Sequence, residues 1–229
     1  MKKLIPIAVL ALAVAVFAAV AFVQPSTTNA SDQPATEPAT PITPEDVQED
    51  KMVYVSLDTT KGTMYLALNE TKAPITVENF LSYVEDGFYN DTIFHRVMEG
   101  FMIQGGGFEE GLKKKDTKAE IKNEWKNGLK NMRGTIAMAR LGNQPDSASS
   151  QFFINLADNG FLDQPRDGAG YAVFGHLVKG EDVLDAIGSA PTSSQGMHGN
   201  VPVTTIKINS ITQISNEKAV ELELAGAEG

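Results

Sequence analysis

From Lys51 to about Ile214 the apolar residues of this chain come in short runs, cut every few positions by Gly, Asn, Asp or Lys. That spacing constrains the fold more than any other feature. A helix that buries one face needs apolar residues three or four apart over roughly ten positions or more, whereas a strand needs only about four to eight residues. "MVYVSLDT" and "GTMYLALN" meet the second requirement, and Thr59-Thr60-Lys61-Gly62 between them predicts a hairpin. The same reading predicts strands around Ile93–His95, Met102–Gln104, Thr135–Met138, Phe152–Asn155 and Tyr171–Leu177, with a closing strand in "VTTIKINSITQI".

Two stretches have helical period instead. In "APITVENFLSYVEDG", Val77, Phe80, Leu81 and Val84 share a face, with Pro74 before and Gly87 after. In "GEDVLDAI", Val183, Leu184 and Ile187 do the same. No βαβ alternation and no internal repeat is visible. Many short strands, two helices and long Gly/Asn loops predict a mainly β fold, a closed or nearly closed β-barrel with helices over its ends. The 229 residues allow one such domain, at 51–214, plus appendages.

Charge and composition narrow the function. The formal net charge is -10, and the densest basic run, Lys113, Lys114, Lys115 and Lys118, sits beside Glu109, Glu110 and Asp116. It reads as a solvated loop and argues against nucleic acid as a partner, since phosphate binding needs clustered Lys and Arg. There is no cysteine, so thiol nucleophiles, disulfides and thiolate metal sites are excluded. The three histidines, His95, His176 and His198, lack ligand spacing, so neither a metal site nor any cofactor is expected. No G-x-S-x-G occurs, "GGGFEEGLKK" lacks the ending of a phosphate-binding loop, and nothing places two carboxylates together.

The N-terminus speaks of location. Met1-Lys2-Lys3 is followed by an uncharged apolar run, Leu4 to Val23, and then by a small-x-small site at Thr28-Asn29-Ala30. Residues 1–30 read as a secretory signal peptide. The run also approaches the ~20 residues that span a bilayer, so an uncleaved membrane anchor is the alternative. Both readings export the domain to the periplasm or cell envelope, and only the anchor makes the membrane a partner. Residues 31–50, rich in Pro, Thr and acids, predict a disordered linker, and 215–229 an acidic flexible tail. A monomer is expected.

One stretch raises a chemical question. "FHRVMEGFMIQGGGF", Phe94 to Phe108, has an apolar skeleton that carries a permanently charged Arg96 and the amide Gln104. Such a segment can hold a guanidinium if it lines an open groove. With "IKNEWKNGLKNMRGTIAMAR", "SASSQFFINLADNGFLD" and "YAVFGHLVKGEDVLDAI", it resembles the cyclophilins, peptidyl-prolyl cis-trans isomerases, and most closely their exported bacterial forms. The likeness runs from about Val53 to about Ile214.

The resemblance implies a closed eight-stranded antiparallel barrel capped by two α-helices, with the active site on its outer face. It implies proline-containing unfolded or partly folded polypeptides as substrates. It assigns the essential guanidinium to Arg96, with Gln104 beside it. It assigns the pocket wall to Phe101, Met102, Phe153, Leu162 and the region of Tyr171, a polar flank to Gln151, and a backbone contact with the substrate chain to Arg140. Phe161 stands where many cyclophilins have Trp, Tyr171 where they have His, Arg140 where they have Asn, and Gly107 where they often have Asp. Phe161 has no indole N–H, which implies weak cyclosporin binding.

The residues themselves suit such chemistry. Strand alternation puts Gln151 and Phe153 on one face and Phe152 on the other, so Phe153 is expected in the groove and Phe152 in the core. His95 reads as a structural histidine and Trp125 as a packing anchor. The rival reading is a binding module or chaperone that holds proline segments without turnover; it could dispense with Arg96.

Overall fold

The computed structural model describes residues 49–164 and 167–225. The expected leader and nearly all of the linker lie outside them. The first hairpin has the expected ends, β1 (Met52–Thr59) and β2 (Gly62–Asn69). The ten strands that follow are short: β3 (Arg96–Met98), β4 (Met102–Gly105), β5 (Phe108–Glu109), β6 (Lys113–Lys114), β7 (Thr135–Met138), β8 (Phe152–Asn155), β9 (Val173–Lys179), β10 (Thr192–Gln195), β11 (His198–Pro202) and β12 (Ile208–Ile214), with helices between them. The small hairpins β5–β6 and β10–β11 have no apolar alternation and were not expected from the sequence.

Eight strands form one antiparallel sheet in the order β12-β1-β2-β9-β7-β8-β4-β3. It curls into a half-barrel but does not close. The edges, β3 and β12, share no ladder. Near them the chain is joined by a single bridge between Ile93 and Lys207. The Phe94 N–H donates to the Ile206 carbonyl (3.0 Å) and the Ile208 N–H to the Thr92 carbonyl (2.8 Å). The closed barrel is therefore corrected to an open one. The reason is where the edges meet: the bridge between Ile93 and Lys207 falls before either strand begins, since the strand expected at Ile93–His95 starts only at Arg96 and β12 at Ile208.

The interior is apolar. Val55, Leu57, Leu66, Ile103, Ile136, Ile154 and Ile208 point into it, all fully buried. Helix α1 (Pro74–Glu85) lays Val77, Phe80 and Val84 over one end, with Tyr83 buried in place of the half-buried Leu81. Phe80 meets Tyr89, Phe152 and Phe174 at centroid distances of 5.1, 5.6 and 5.3 Å. Helix α2 (Glu181–Gly188) buries Val183, Leu184 and Ile187. Each such side chain contributes roughly 1.5–3 kcal/mol by leaving water.

Three surface expectations change. Ser215 caps a third helix, α3 (Asn216–Glu221), by accepting from the Lys218 N–H, and Ala219 and Leu224 are buried. The start of the expected tail is thus helical and anchored by two apolar side chains, while most of its other residues stay exposed. Asp50, read as linker, accepts from Asn69 and pairs with Lys72 (2.9 Å). The lysine run is engaged as well: Lys115 Nζ donates to the Phe88 carbonyl (2.6 Å), and Lys118 Nζ meets Asp86 (2.6 Å) just past the C-terminus of α1, where a cation is favoured. Among the described residues, no helix is long and apolar enough to cross a membrane.

Candidate active site

Antiparallel pairing aligns residues directly across neighbouring strands, and side chains so aligned share a face. One such row runs Arg96 to Gln104, Gln104 to Phe153, Phe153 to Ala137 and Ala137 to Val173, across β3, β4, β8, β7 and β9. The next row, Val97, Ile103, Ile154 and Ile136, points the other way and is interior. The first row therefore lies on the outer face. There Met102, Ala137, Phe153, Leu162 and Val173 form a second apolar cluster, with Met98, Phe101, Leu129, Ala139 and Tyr171 half-buried around it. Alternation separates Phe152 into the interior cluster and Phe153 into the outer one.

Arg96 is half-buried at the end of this row. Its Nη1 donates to Gln104 Oε1 (3.3 Å) and its Nη2 to Met98 Sδ (3.1 Å). Gln104 Nε2 in turn donates to Gln151 Oε1 (3.0 Å). Since the Gln104 amide gives its NH2 to Gln151, its carbonyl oxygen is left facing the guanidinium. No carboxylate pairs with Arg96 among the described residues, so its charge stays available.

The other expected residues gather on the same side. A short 3-10 turn, Gly160–Leu162, buries Leu162 and leaves Phe161 64% exposed, its ring stacked on Phe101 (5.7 Å). Tyr171 meets Phe153 edge-on (5.6 Å). Arg140 behaves differently. Its side chain is only 1% exposed, so any contact with a bound chain falls to its backbone. The guanidinium grips Asp167 at two points, donates to the Gly170 carbonyl (3.1 Å) and lies 4.6 Å from the Tyr171 ring centroid. The Arg140 hydrogen bonds and the Asn143 N–H hold the Asp167 carboxyl well below the usual carboxylate range.

Sequence reasoning missed the support beneath the cluster. Asn131 Nδ2 donates to Asp163, Asn155 Nδ2 to Asn131, and Asn159 Nδ2 to both Asn155 and the Phe101 carbonyl. All three asparagines are buried. They tie Phe101 and the Gly160–Leu162 turn to β8. The signal was present in "FFIN", a buried strand that ends on an amide, since a buried amide must find partners. Met98 was missed too, although it touches the guanidinium. Trp125 packs against Gly170, as an anchor should. His95 is 5% exposed, beside the Phe108 ring (4.6 Å), and its Nδ1 has no partner. Burial lowers its pKa to about 4, with His198 and Arg96 adding to the effect. It is neutral at pH 7 and structural. A separate recess lies over Tyr54, Ala67 and His176 and meets this site only through Leu129 and Val173.

A half-barrel whose outer face holds an apolar patch beside an unpaired cation suits an uncharged, partly apolar segment of polypeptide. Comparison with known proteins makes this specific. Residues 54–213 match the family model described as cyclophilin type peptidyl-prolyl cis-trans isomerase/CLD. A peptidyl-prolyl cis-trans isomerase of Acinetobacter baylyi is 59% identical over 157 residues, 69% of this chain and 83% of that protein. Peptidyl-prolyl cis-trans isomerase B of Escherichia coli is 53% identical over 161 residues, 69% of this chain and 98% of that protein. A crystal structure of a cyclophilin type peptidyl-prolyl cis-trans isomerase from Cryptosporidium parvum has a TM-score of 0.61 at 28% identity, covering 72% of this chain and 99% of that one. The chain belongs to the cyclophilin-type peptidyl-prolyl cis-trans isomerases. It is an enzyme that accelerates rotation about X-Pro bonds and binds proline-containing polypeptide.

Proposed function

We propose that Arg96 is the group that lowers the rotational barrier, with the outer cluster as the seat of the proline ring. An X-Pro bond turns slowly because its C–N bond is partly double, with a barrier of about 18–20 kcal/mol. Twisting the bond breaks conjugation, and the proline nitrogen regains a lone pair. A fixed cationic donor aimed at that nitrogen binds the twisted state more tightly than the planar one, which is the condition for catalysis. Each tenfold in rate needs about 1.4 kcal/mol of such preference. Met102, Phe101, Phe153 and Leu162 hold the ring, and Gln104 orients the guanidinium. Gln151, Phe161 and Tyr171 flank the chain, and the Arg140 backbone pairs with it.

The observation that supports this reading is the row Arg96–Gln104–Phe153, which sets a cation with no carboxylate partner next to the outer apolar cluster. Proline-limited refolding of a model substrate tests it. Arg96→Ala should lose most of the acceleration while keeping its fold. Equal acceleration by wild type and Arg96→Ala would refute the assignment.

We further propose that the clients are exported polypeptides, folded with this enzyme's help in the periplasm or cell envelope. The support is the sequence of residues 1–30, a positive start, an apolar run and a small-residue site. N-terminal sequencing of the fractionated native protein decides between the two forms. A start after Ala30 in the soluble envelope fraction means a signal peptide, and an intact Met1 in the membrane fraction means an anchor. Recovery from the cytoplasm would overturn the proposal.

A further inference from the structure

We infer that Met98 is an oxidation-sensitive modification site, and that its sulfoxide disables the Arg96 guanidinium. This rests on the role given to Arg96 above. Met98 lies two residues beyond Arg96 on β3, so strand alternation sets both on the outer face. Its sulfur accepts from Arg96 Nη2 at 3.1 Å, and its side chain is half-buried against the outer cluster. The other methionines divide around it. Met64, Met102 and Met138 are no more than 2% exposed, which shields their sulfurs. Met132 (46%) and Met197 (101%) are open to solvent, but Met132 lines the separate recess and Met197 the turn between β10 and β11. Met98 therefore combines access with a contact to the catalytic cation.

The oxidant is hydrogen peroxide or another two-electron oxygen donor. A sulfur lone pair attacks one peroxide oxygen, and the S–O bond forms as the O–O bond breaks. The proton of the transferred oxygen passes to the departing one, which leaves as water. Sulfur is oxidised by two electrons and peroxide is reduced by two. Negative charge gathers on the departing oxygen, and a guanidinium N–H beside the sulfur stabilises it. The neighbour that the product disables thus assists its formation.

A thioether is a weak acceptor, whereas the sulfoxide is polar and chiral. Oxygen on the lone pair that faces Nη2 stands between sulfur and nitrogen and pushes the guanidinium away. Oxygen on the other lone pair leaves a sulfur that no longer accepts, and rotation of the unbranched side chain brings the oxygen round to Nη2. Both epimers end the 3.1 Å contact and set a strong acceptor against the cation. That acceptor competes with the proline nitrogen for the same donors, and the guanidinium shifts from its place beside Gln104 Oε1. A cation that acts at hydrogen-bond range is sensitive to small displacements, so kcat/KM for an X-Pro peptide should fall by about ten- to a hundredfold. Enzymatic reduction of the sulfoxide should restore it.

The test exposes wild type, Met98→Leu and the double variant Met132→Leu/Met197→Leu to hydrogen peroxide, each measured against its own untreated rate. Fragment-ion mass spectrometry follows the sulfoxides and separates Met98 from Met102 within the tryptic peptide 97–113. Wild type and the double variant should lose activity in step with Met98 sulfoxide, Met98→Leu should keep its rate, and the two epimer-specific methionine sulfoxide reductases should rescue the wild type. The urea midpoint should hold, and the Arg96 side-chain N–H resonance should shift on oxidation. Equal inactivation of Met98→Leu would place the sensitivity elsewhere and overturn the inference. So would full activity with Met98 oxidised, unfolding of the oxidised protein, or a Met98 that stays reduced while Met132 and Met197 react. Full activity of untreated Arg96→Ala identifies failure of the underlying assignment instead. The sulfoxide map and the Arg96 resonance are read independently of it.

Discussion

Arg140 and Asp167 meet at two points, 2.8 and 2.9 Å, with the arginine side chain folded under Tyr171 instead of toward the solvent. A forked pair of this kind fixes direction as well as distance. Asp167 also accepts from the Asn143 N–H, so one carboxylate joins two loops beside the outer cluster. Asp167→Asn keeps the shape but loses the charge. It should reduce kcat/KM by on the order of tenfold, about the worth of one charge-assisted hydrogen bond, mainly through KM as Tyr171 loosens. The carboxyl is held below its unfolded pKa, so its contribution to stability is full above about pH 4 and lost only as pH falls below that. Steady-state kinetics on the peptide assay checks the first point, and acid titration of both variants the second.

Arg96→Lys retains the charge but not the fork. A lysine ammonium cannot meet Gln104 and a proline nitrogen with the same geometry. The expected loss in kcat/KM is roughly 10²–10³, the usual cost of removing one preorganised donor. A lysine variant with near-normal rates would mean that charge alone suffices.

His95 makes stability depend on pH. Its folded pKa of about 4 lies below the unfolded value near 6.5, so the unfolded chain binds the extra proton first. Stability is therefore full above about pH 6.5 and falls as pH drops toward 4. Between pH 7 and pH 5 the loss should be about 2 kcal/mol. Urea unfolding at the two pH values measures it, and His95→Phe should flatten the slope.

Helix α1 has no cap of its own, because Ala73 precedes it. The Ile75 and Thr76 N–H groups donate to the Glu124 carboxylate (3.2 and 2.8 Å), as does the Thr76 hydroxyl (2.7 Å). Glu124→Ala should cost about 1–2 kcal/mol in urea unfolding, the worth of a lost N-terminal cap. An unchanged midpoint would mean that water replaces the carboxylate without loss.

Phe161 stands exposed with its ring on Phe101 and has no N–H to donate. Cyclosporin should therefore inhibit the enzyme only weakly. Stoichiometric inhibition in the peptide assay would contradict this.

Period and alternation alone determined the β1–β2 hairpin, the faces of both main helices and the split between Phe152 and Phe153. These patterns are complete within a few residues, and the physics that reads them, burial of one face, is local. The motifs around Arg96 and Gln104 were legible for the same reason, since both lie in one apolar stretch. Tertiary structure decided the rest. Glu124 caps a helix 48 residues away, and Asp167 turns Arg140 inward across 27. The seam between β3 and β12 stays open because the edges meet only at Ile93 and Lys207, before either strand begins, and the acidic end winds into α3 with Ala219 and Leu224 under cover. Each outcome depends on which distant group arrives at an unsatisfied atom or an open apolar surface, and no local pattern carries that information.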